Sequence, residues 1–358
     1  MQENQIPNQA APSALPTAGP IPSPNAAQAP AAAPSAQAQS ANPIIQKIQN
    51  AFHSRVVGQD ELCLSMIVAL ISEGHVLLES VPGLAKTLSA KTIAESSNGS
   101  FSRIQCTPDL LPSDIIGTQI YNYTKGTFET KIGPVNANFV LLDEINRSSA
   151  KTQSAMLEAM QERQVSIGGQ IFKMPEPFVV LATQNPIEQE GTYELPEAQL
   201  DRFLLKVLID YPTREQELQV LDYIIKGSTT SPLADSQKVS LADIQSLQKQ
   251  AAAVRVDDAI KNYIVNIISV TRTPGQFIDP KLAHYIEYGV SPRGSIALLQ
   301  IARALAVING RDYVTPDDVK QLRYAALRHR IILNFEALAD DIHPEAIIDA
   351  IFEKVQTP

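Results

Sequence analysis

From residue 43 onward the chain switches between two hydrophobic periods. Ile44, Ile45, Ile48 and Phe52 recur at helical spacing, and residues 60–72 continue as a second helix. Residues 75–79 (HVLLE) are short and mostly apolar, as a strand buried on both faces is. The same signature returns at 101–105, 139–143, 178–183 and 203–209, with helical stretches between most of them. Strands alternating with helices predict an α/β fold with a parallel sheet between helices. Two segments break the alternation. Residues 119–130 alternate around Lys125-Gly126, and 165–172 (VSIGGQIF) carry a Gly-Gly pair that supplies the positive φ of a tight turn; each predicts a hairpin. After Tyr211-Pro212-Thr213 the strand signals fade, and runs such as 296–308 and 316–330 read as helices. The expected organisation is an α/β domain over 43–212 followed by an all-α domain over 213–358.

Residues 1–42 are a different material. Nine of the 25 prolines fall within residues 1–43, among Ala, Gln, Ser and Asn, and Glu3 is the sole charged side chain before Lys47. Such a stretch buries too little apolar surface to offset its ordering entropy, so it reads as a disordered tail and most simply a spacer. The whole chain carries a net charge of -9, which gives no bulk attraction to nucleic acid. Cys63 and Cys106 form no CxxC pair, and the five histidines show no metal-ligand spacing. No apolar run reaches membrane-spanning length, and the N-terminus lacks a basic region followed by an apolar core. These features point to the cytoplasm, without membrane insertion or a structural metal.

Residues 79–87 (ESVPGLAKT) follow a predicted buried strand and open a predicted helix, which is the setting of a phosphate-binding loop. Lys86 is placed to reach the β- and γ-phosphates of ATP, and the Thr87 hydroxyl to bind Mg²⁺. The glycine pattern of such loops departs twice, at Ser80 and Ala85. Residues 139–144 (FVLLDE) form an apolar strand ending in two carboxylates; Asp143 would hold Mg²⁺ through its water shell and Glu144 would deprotonate the attacking water. A plain alternative is a strand ending in solvated acids. A third strand runs into Gln184-Asn185-Pro186, which is either a turn or a means of bringing the Asn185 amide to the same sheet edge.

At this point the sequence resembles the MoxR family of AAA+ ATPases, over all but the tail. The resemblance rests on VVGQ (56–59), VPGLAKTL (81–88), CTPDLLPSDIIG (106–117), LLDEINR (141–147), ATQNPIEQEGTYELPEAQLDRF (182–203), SPRGS (291–295) and GRDYVTPDDV (310–319). It implies that Val57 and Gln59 lie by the adenine. It implies that Val81, Pro82, Gly83, Leu84, Ala85, Lys86, Thr87 and Leu88 form the phosphate loop. Asp143 and Glu144 then correspond to the Walker B pair, and Asn185 to sensor 1. Arg202 corresponds to an arginine finger reaching a neighbouring subunit's γ-phosphate, which makes hydrolysis depend on a homo-oligomeric ring, typically a hexamer. Arg293 corresponds to sensor 2, reaching from the helical lid to the same nucleotide. Read without the family, Arg202 could pair with Asp201 or Glu197, and Arg293 could cap a lid helix. Proteins of this kind usually carry Ala at position 85, whereas Ser80 replaces a glycine and its Cβ is expected to restrict the loop. Glu194, Gly294 and Asn136 also depart from the family's usual residues.

The family further implies that the two hairpins project from the ring and grip a client protein. The first is favoured because Tyr121, Tyr123 and Phe128 supply contact area. The expected function is ATP-driven remodelling, maturation or activation of a partner, often one with a von Willebrand A domain. Two alternatives stand beside it: a nucleotide-gated binding module with little turnover, motivated by Ser80, and a DNA-acting AAA+ protein, disfavoured by the acidic balance.

Overall fold

The computed structural model describes residues 42–81, 83–186, 193–227, 229 and 231–358. All but Asn42 of the expected tail, and Pro82 of the phosphate loop, lie outside these residues. Everything from residue 42 on belongs to one compact unit.

Helix α1 (Pro43–His53) starts where the Asn42 side chain accepts from the Ile44 amide and Pro43 supplies a ready-made first turn. There follow α2 (Asp60–Ile71), β1 (Val76–Ser80), α3 (Lys86–Ser96), β2 (Phe101–Gln105) and α4 (Pro112–Ile116). The first hairpin is β3 (Gly117–Asn122) with β4 (Thr127–Ile132); then come β5 (Phe139–Asp143) and α5 (Ala150–Glu162). The second hairpin is β6 (Gln164–Ile167) with β7 (Gln170–Lys173), followed by β8 (Val179–Gln184), α6 (Glu197–Leu200) and β9 (Leu205–Ile209). The C-terminal part holds α7 (Arg214–Ile225), α8 (Leu241–Ala253), α9 (Asp258–Arg272), α10 (Pro280–His284), β10 (Ile286–Tyr288) and α11 (Pro292–Ile308). It ends with α12 (Pro316–Gln321), α13 (Arg323–Leu327), β11 (Ile332–Leu333), α14 (Phe335–Ala339) and α15 (Pro344–Lys354).

Five strands form one parallel sheet in the order β2-β5-β8-β1-β9. Alternate residues feed two separate cores. Val76 and Leu78 of β1 join one apolar cluster, while Leu77 joins the other; Leu141 and Leu142 of β5 divide likewise. That is why these strands read as unbroken apolar runs. The first cluster continues from α1, α2 and α3 into α8, α9, α11 and α15, so the lid helices share a core with one face of the sheet. Both hairpins form as the alternation predicts, with Gly168 and Gly169 at φ 57 and 79 in the tight turn.

The C-terminal region departs from an all-helical reading at two places. A short antiparallel ladder joins β10 to β11, two segments too short for their period to register in sequence. The run 316–330 is not one helix: Leu322 (φ -113, ψ 29) leaves the helical region and separates α12 from α13. No helix among the described residues is long and apolar enough to cross a membrane.

Candidate active site

The sheet gathers the predicted chemistry at its C-terminal edge. Glu79 of β1 pairs with Gln184 of β8, and Leu142 of β5 pairs with Ala182 of β8. Adjacent strands lie about 4.8 Å apart, so Asn185, the Asp143-Glu144 pair and the start of α3 fall within about two strand spacings of one another. Lys86 and Thr87 open α3, where free amides and the helix dipole favour an anion. Gly83 has φ +88, and a Cβ built there meets nothing within 4 Å, which leaves open space along the loop backbone. Lys86 makes no ion pair or side-chain hydrogen bond among the described residues.

The two glycine substitutions behave differently from expectation. Ser80 is a buried strand residue paired with Ile209, so its Cβ restricts nothing. Ala85 holds the strain instead: it stands at φ 55, ψ 19, in the left-handed region that costs a non-glycine residue about 1 kcal/mol. Val57 and Gln59 flank Gly58 (φ +67) between α1 and α2, with the Gln216 side chain lying against Gly58. Leu84 and Leu88 pack on the larger core, and Val81 is half-buried.

Asp143 and Glu144 are held by a network that the motif reading does not contain. The Thr183 hydroxyl donates to Asp143 Oδ1 at 2.9 Å and accepts from the Glu144 amide at 2.8 Å. Arg103 donates to Asp143 Oδ2 through Nη2 at 2.5 Å and Nε at 3.2 Å. Glu144 Oε2 accepts from Gln105 Nε2 at 3.0 Å and Arg147 Nη1 at 3.3 Å. Glu144 itself sits at φ 57, a second non-glycine residue in the left-handed region at this edge. Cys106, just after β2, is buried, and burial pushes its thiol up to about 12, so it is no nucleophile here.

Arg202 and Arg293 lie elsewhere. They line a cavity of about 360 Å³ together with Gly74, His75 and Leu204, which precede β1 and β9 at the opposite, N-terminal edge of the sheet. The five residues of β1 separate that cavity from the phosphate loop, about 17 Å of strand. Arg163 and Arg330 line the same cavity. Arg163 is pinned to the carboxylate and carbonyl of Glu73.

Arg330 is 6% exposed; its Nε donates to Asp201 Oδ1 at 2.8 Å, and its other nitrogens to the Phe203 and Leu204 carbonyls. Burial lowers its pKa from the ordinary value, and the Asp201 charge opposes that shift. The other Asp201 oxygen accepts from Ser291 Oγ at 2.7 Å, and Ser291 caps α11, on which Arg293 stands. With Asp201 so engaged, Arg202 pairs with neither Asp201 nor Glu197, and its Nε is buried without a hydrogen-bond partner among the described residues. Arg293 lies exposed in the first turn of α11, where a cation opposes the helix dipole.

His75 at this edge donates from Nε2 to the Met160 carbonyl at 3.2 Å and accepts at Nδ1 from the Val180 amide at 3.0 Å. Burial takes it down to about 4, so it stays neutral. His329, burdened first by burial and then by Arg330, is held well below its usual range.

Residues 75–205 match the ATPase family associated with various cellular activities (AAA), and residues 282–351 match the AAA lid domain. The chain is 50% identical over 303 residues to the chaperone MoxR1 of Mycobacterium tuberculosis, covering 85% of this chain and 79% of that protein. The chain belongs to the MoxR family of AAA+ ATPases. A Bacillus subtilis protein without an assigned role is 44% identical over 323 residues, covering 90% of this chain and 98% of its own. The crystal structure of a Cytophaga hutchinsonii ATPase candidate superposes with a TM-score of 0.82 at 46% identity, covering 88% of this chain and 95% of that one.

Within this MoxR frame Arg293, expected to reach the same nucleotide as Arg202, stands beside Arg202 on the far edge, because the Ser291–Asp201 bond ties the start of α11 to the segment before β9. Motif reading missed Arg103, Gln105, Thr183, Arg163 and Arg330. For Thr183 a signal exists, a hydroxyl ending an otherwise apolar strand.

Proposed function

We propose that this MoxR-family chain hydrolyses ATP at the junction between two copies in a ring, and uses the cycle to remodel a partner protein. One observation carries the reading: the phosphate loop and the Arg202/Arg293 cavity occupy opposite edges of one rigid sheet. Neither edge completes the other within a chain, whereas a second copy set head to tail completes both. Arg202 and Arg293 thus act together, on a neighbour's nucleotide.

The roles follow from position. The amides of the loop from Val81 to Lys86 cradle phosphate oxygens, and Lys86 neutralises their charge. Thr87 and Asp143 are placed to hold Mg²⁺, which offsets charge on the β- and γ-phosphates when bound. Asp143 Oδ1 keeps a second lone pair beyond its bond to Thr183, which suits water-mediated binding, while Oδ2 is taken up by Arg103. Asn185 orients a water, and Glu144 accepts its proton as the water attacks the γ-phosphorus and ADP leaves. The neighbour's Arg202 and Arg293 stabilise charge on the transferring phosphoryl group.

Residues 43–212 thus serve as the nucleotide-binding part and 213–358 as the lid, in a cytoplasmic protein. The β3–β4 hairpin supplies the client contact: Tyr121 stacks edge-on with Tyr123 and Phe128, and Tyr123 is 91% exposed. A von Willebrand A-domain protein is the client class to try first. The binding module with little turnover loses its motive, since Ser80 is an ordinary strand residue.

Mixing two inactive variants tests the shared site. Arg202→Ala lacks the finger and Glu144→Gln lacks the base, yet a mixed ring contains junctions with both intact. Turnover should reappear on mixing. Turnover that stays absent in mixed rings, or a wild-type rate per protomer independent of concentration, would defeat the reading.

A further inference from the structure

Helix α7 is turned the wrong way round for a helix that ends its contacts within one chain. None of its 12 residues is buried. Leu218, Leu221, Ile224 and Ile225 are exposed by 56%, 53%, 58% and 83%. At about 100° per residue they fill an arc of about 120°. Gln216 and Tyr223 fall on the opposite side, and it is these that touch the body: Gln216 lies against Gly58, and the Tyr223 hydroxyl donates to the His53 carbonyl at 3.1 Å. The half-buried side holds Gln216, Val220 and Tyr223, while the four larger aliphatic side chains face out, the reverse of a surface helix.

We propose that this aliphatic face is the seat of the neighbouring copy of the same chain, the copy that brings its Arg202 and Arg293 to this chain's phosphate loop. The inference rests on the shared-site reading above and adds the surface that holds the two copies together. Three observations select a second copy as the occupant. First, α7 follows β9 at its C-terminal end, so it flanks the same sheet edge as Lys86, the edge that stays incomplete until another chain's arginine cavity meets it. Second, that cavity offers matching chemistry: Ile296 stands on α11 beside the exposed Arg293 and is itself 55% exposed, and the acids on and beside the α7 stripe, Glu215, Glu217 and Asp222, outnumber its cations, Arg214 and Lys226. Third, the chain's own N-terminal segment is a poor occupant, because residues 1–41 hold only Met1, Ile6, Leu15 and Ile21 as large aliphatic side chains. A single patch meeting a different patch on the next copy is a heterologous contact, the kind that builds a ring when the rotation between copies closes.

The test uses the full chain carrying Leu221→Glu and Ile225→Glu, two exposed positions outside the catalytic machinery. Mass is followed by analytical ultracentrifugation with ATP across a concentration series, turnover per protomer is measured in the same samples, and affinity is read with a fluorescent ATP analogue. Assembly should require at least about tenfold more protein than wild type, and turnover should fall in step, because the contact would bury two carboxylates without partners. Affinity for the analogue should stay within about twofold, with an unchanged circular dichroism spectrum. Wild-type assembly by the double variant overturns the proposal, whatever the turnover. So does a variant with Ile6, Leu15 and Ile21 replaced by Ser that loses assembly by itself, since the N-terminal segment would then be the occupant. Failure of the shared-site reading shows separately, as wild-type rings whose Arg202→Ala form keeps full turnover.

Discussion

The two edges of the parallel sheet carry opposite kinds of order. At the C-terminal edge Asp143, Glu144 and Asn185 sit within a residue of a strand end, Lys86 and Thr87 open the helix after β1, and the phosphate loop between that strand and helix is shaped by backbone. Ala85 and Glu144 both take left-handed φ there, and Gly83 leaves its loop open. At the N-terminal edge the chemistry is made of side chains fixed by a segment far away in sequence. Arg330 reaches 129 positions back to Asp201, and Ser291 reaches 90 positions back to the same carboxylate. A phosphate cradle can be written locally, because amides come with every residue. A pair of arginines aimed at another molecule needs a second element to hold it.

The largest effect should come from removing the aimed group itself. Arg202→Ala is expected to cut turnover by about a thousandfold while leaving ATP affinity close to wild type, since finger arginines act on transition-state charge. A turnover assay paired with equilibrium binding checks both halves. A comparable loss of affinity would mean that Arg202 serves its own chain's ground-state binding, and the contrast between the edges would dissolve.

Next in size is the support beneath it. Arg330→Ala strands the Asp201 carboxylate and the Phe203 and Leu204 carbonyls, and breaking one side of a buried pair costs about 3–5 kcal/mol. Urea unfolding should show that loss. Lys86→Ala, at the other edge, removes a side chain that holds nothing together and should leave the urea midpoint nearly unchanged. Equal destabilisation by the two variants would refute the claim that the edges are held differently.

Acid provides a smaller probe of the same edge. His75 is taken down to about 4 against an ordinary value of 6.5, so the unfolded chain binds a proton first as pH falls. The stability from neutral His75 is complete above about pH 6.5 and drains away toward pH 4, for a total of about 3 kcal/mol. His329 shifts in the same direction and adds to the slope. Urea midpoints between pH 7 and 4 should fall less steeply in His75→Gln than in wild type; parallel curves would remove His75 from the account.

These differences also explain what the sequence made readable. The five sheet strands, both hairpins and the convergence of Lys86, Asp143, Glu144 and Asn185 on one edge are local consequences of apolar runs ending in polar residues. The network around Asp143 was not readable, because Arg103 and Gln105 on an edge strand look like solvated residues until β2 is paired with β5. The placement of Arg293 was not readable either. Its motif names a residue on a helix, while the Ser291–Asp201 bond decides which way that helix delivers it. The β10–β11 ladder is too short to carry a period at all.

The smallest effects test the two positions where a glycine pattern is broken, one in the loop and one in β1, and they should have opposite signs. Ala85 occupies φ 55, so Ala85→Gly removes a strained Cβ; against it stands the greater freedom of glycine in the unfolded chain, leaving a net gain of about 0.5 kcal/mol. Ser80 is extended and buried within β1, so Ser80→Gly relieves nothing and loosens a strand interior, a cost of about 0.5–1 kcal/mol. ATP affinity should not improve in the second variant. A careful pair of thermal or urea midpoints separates the two signs even at this size. A stabilised Ser80→Gly protein with tighter ATP binding would restore the strain to where the motif alone puts it, and would show that β1 ends before residue 80 in solution.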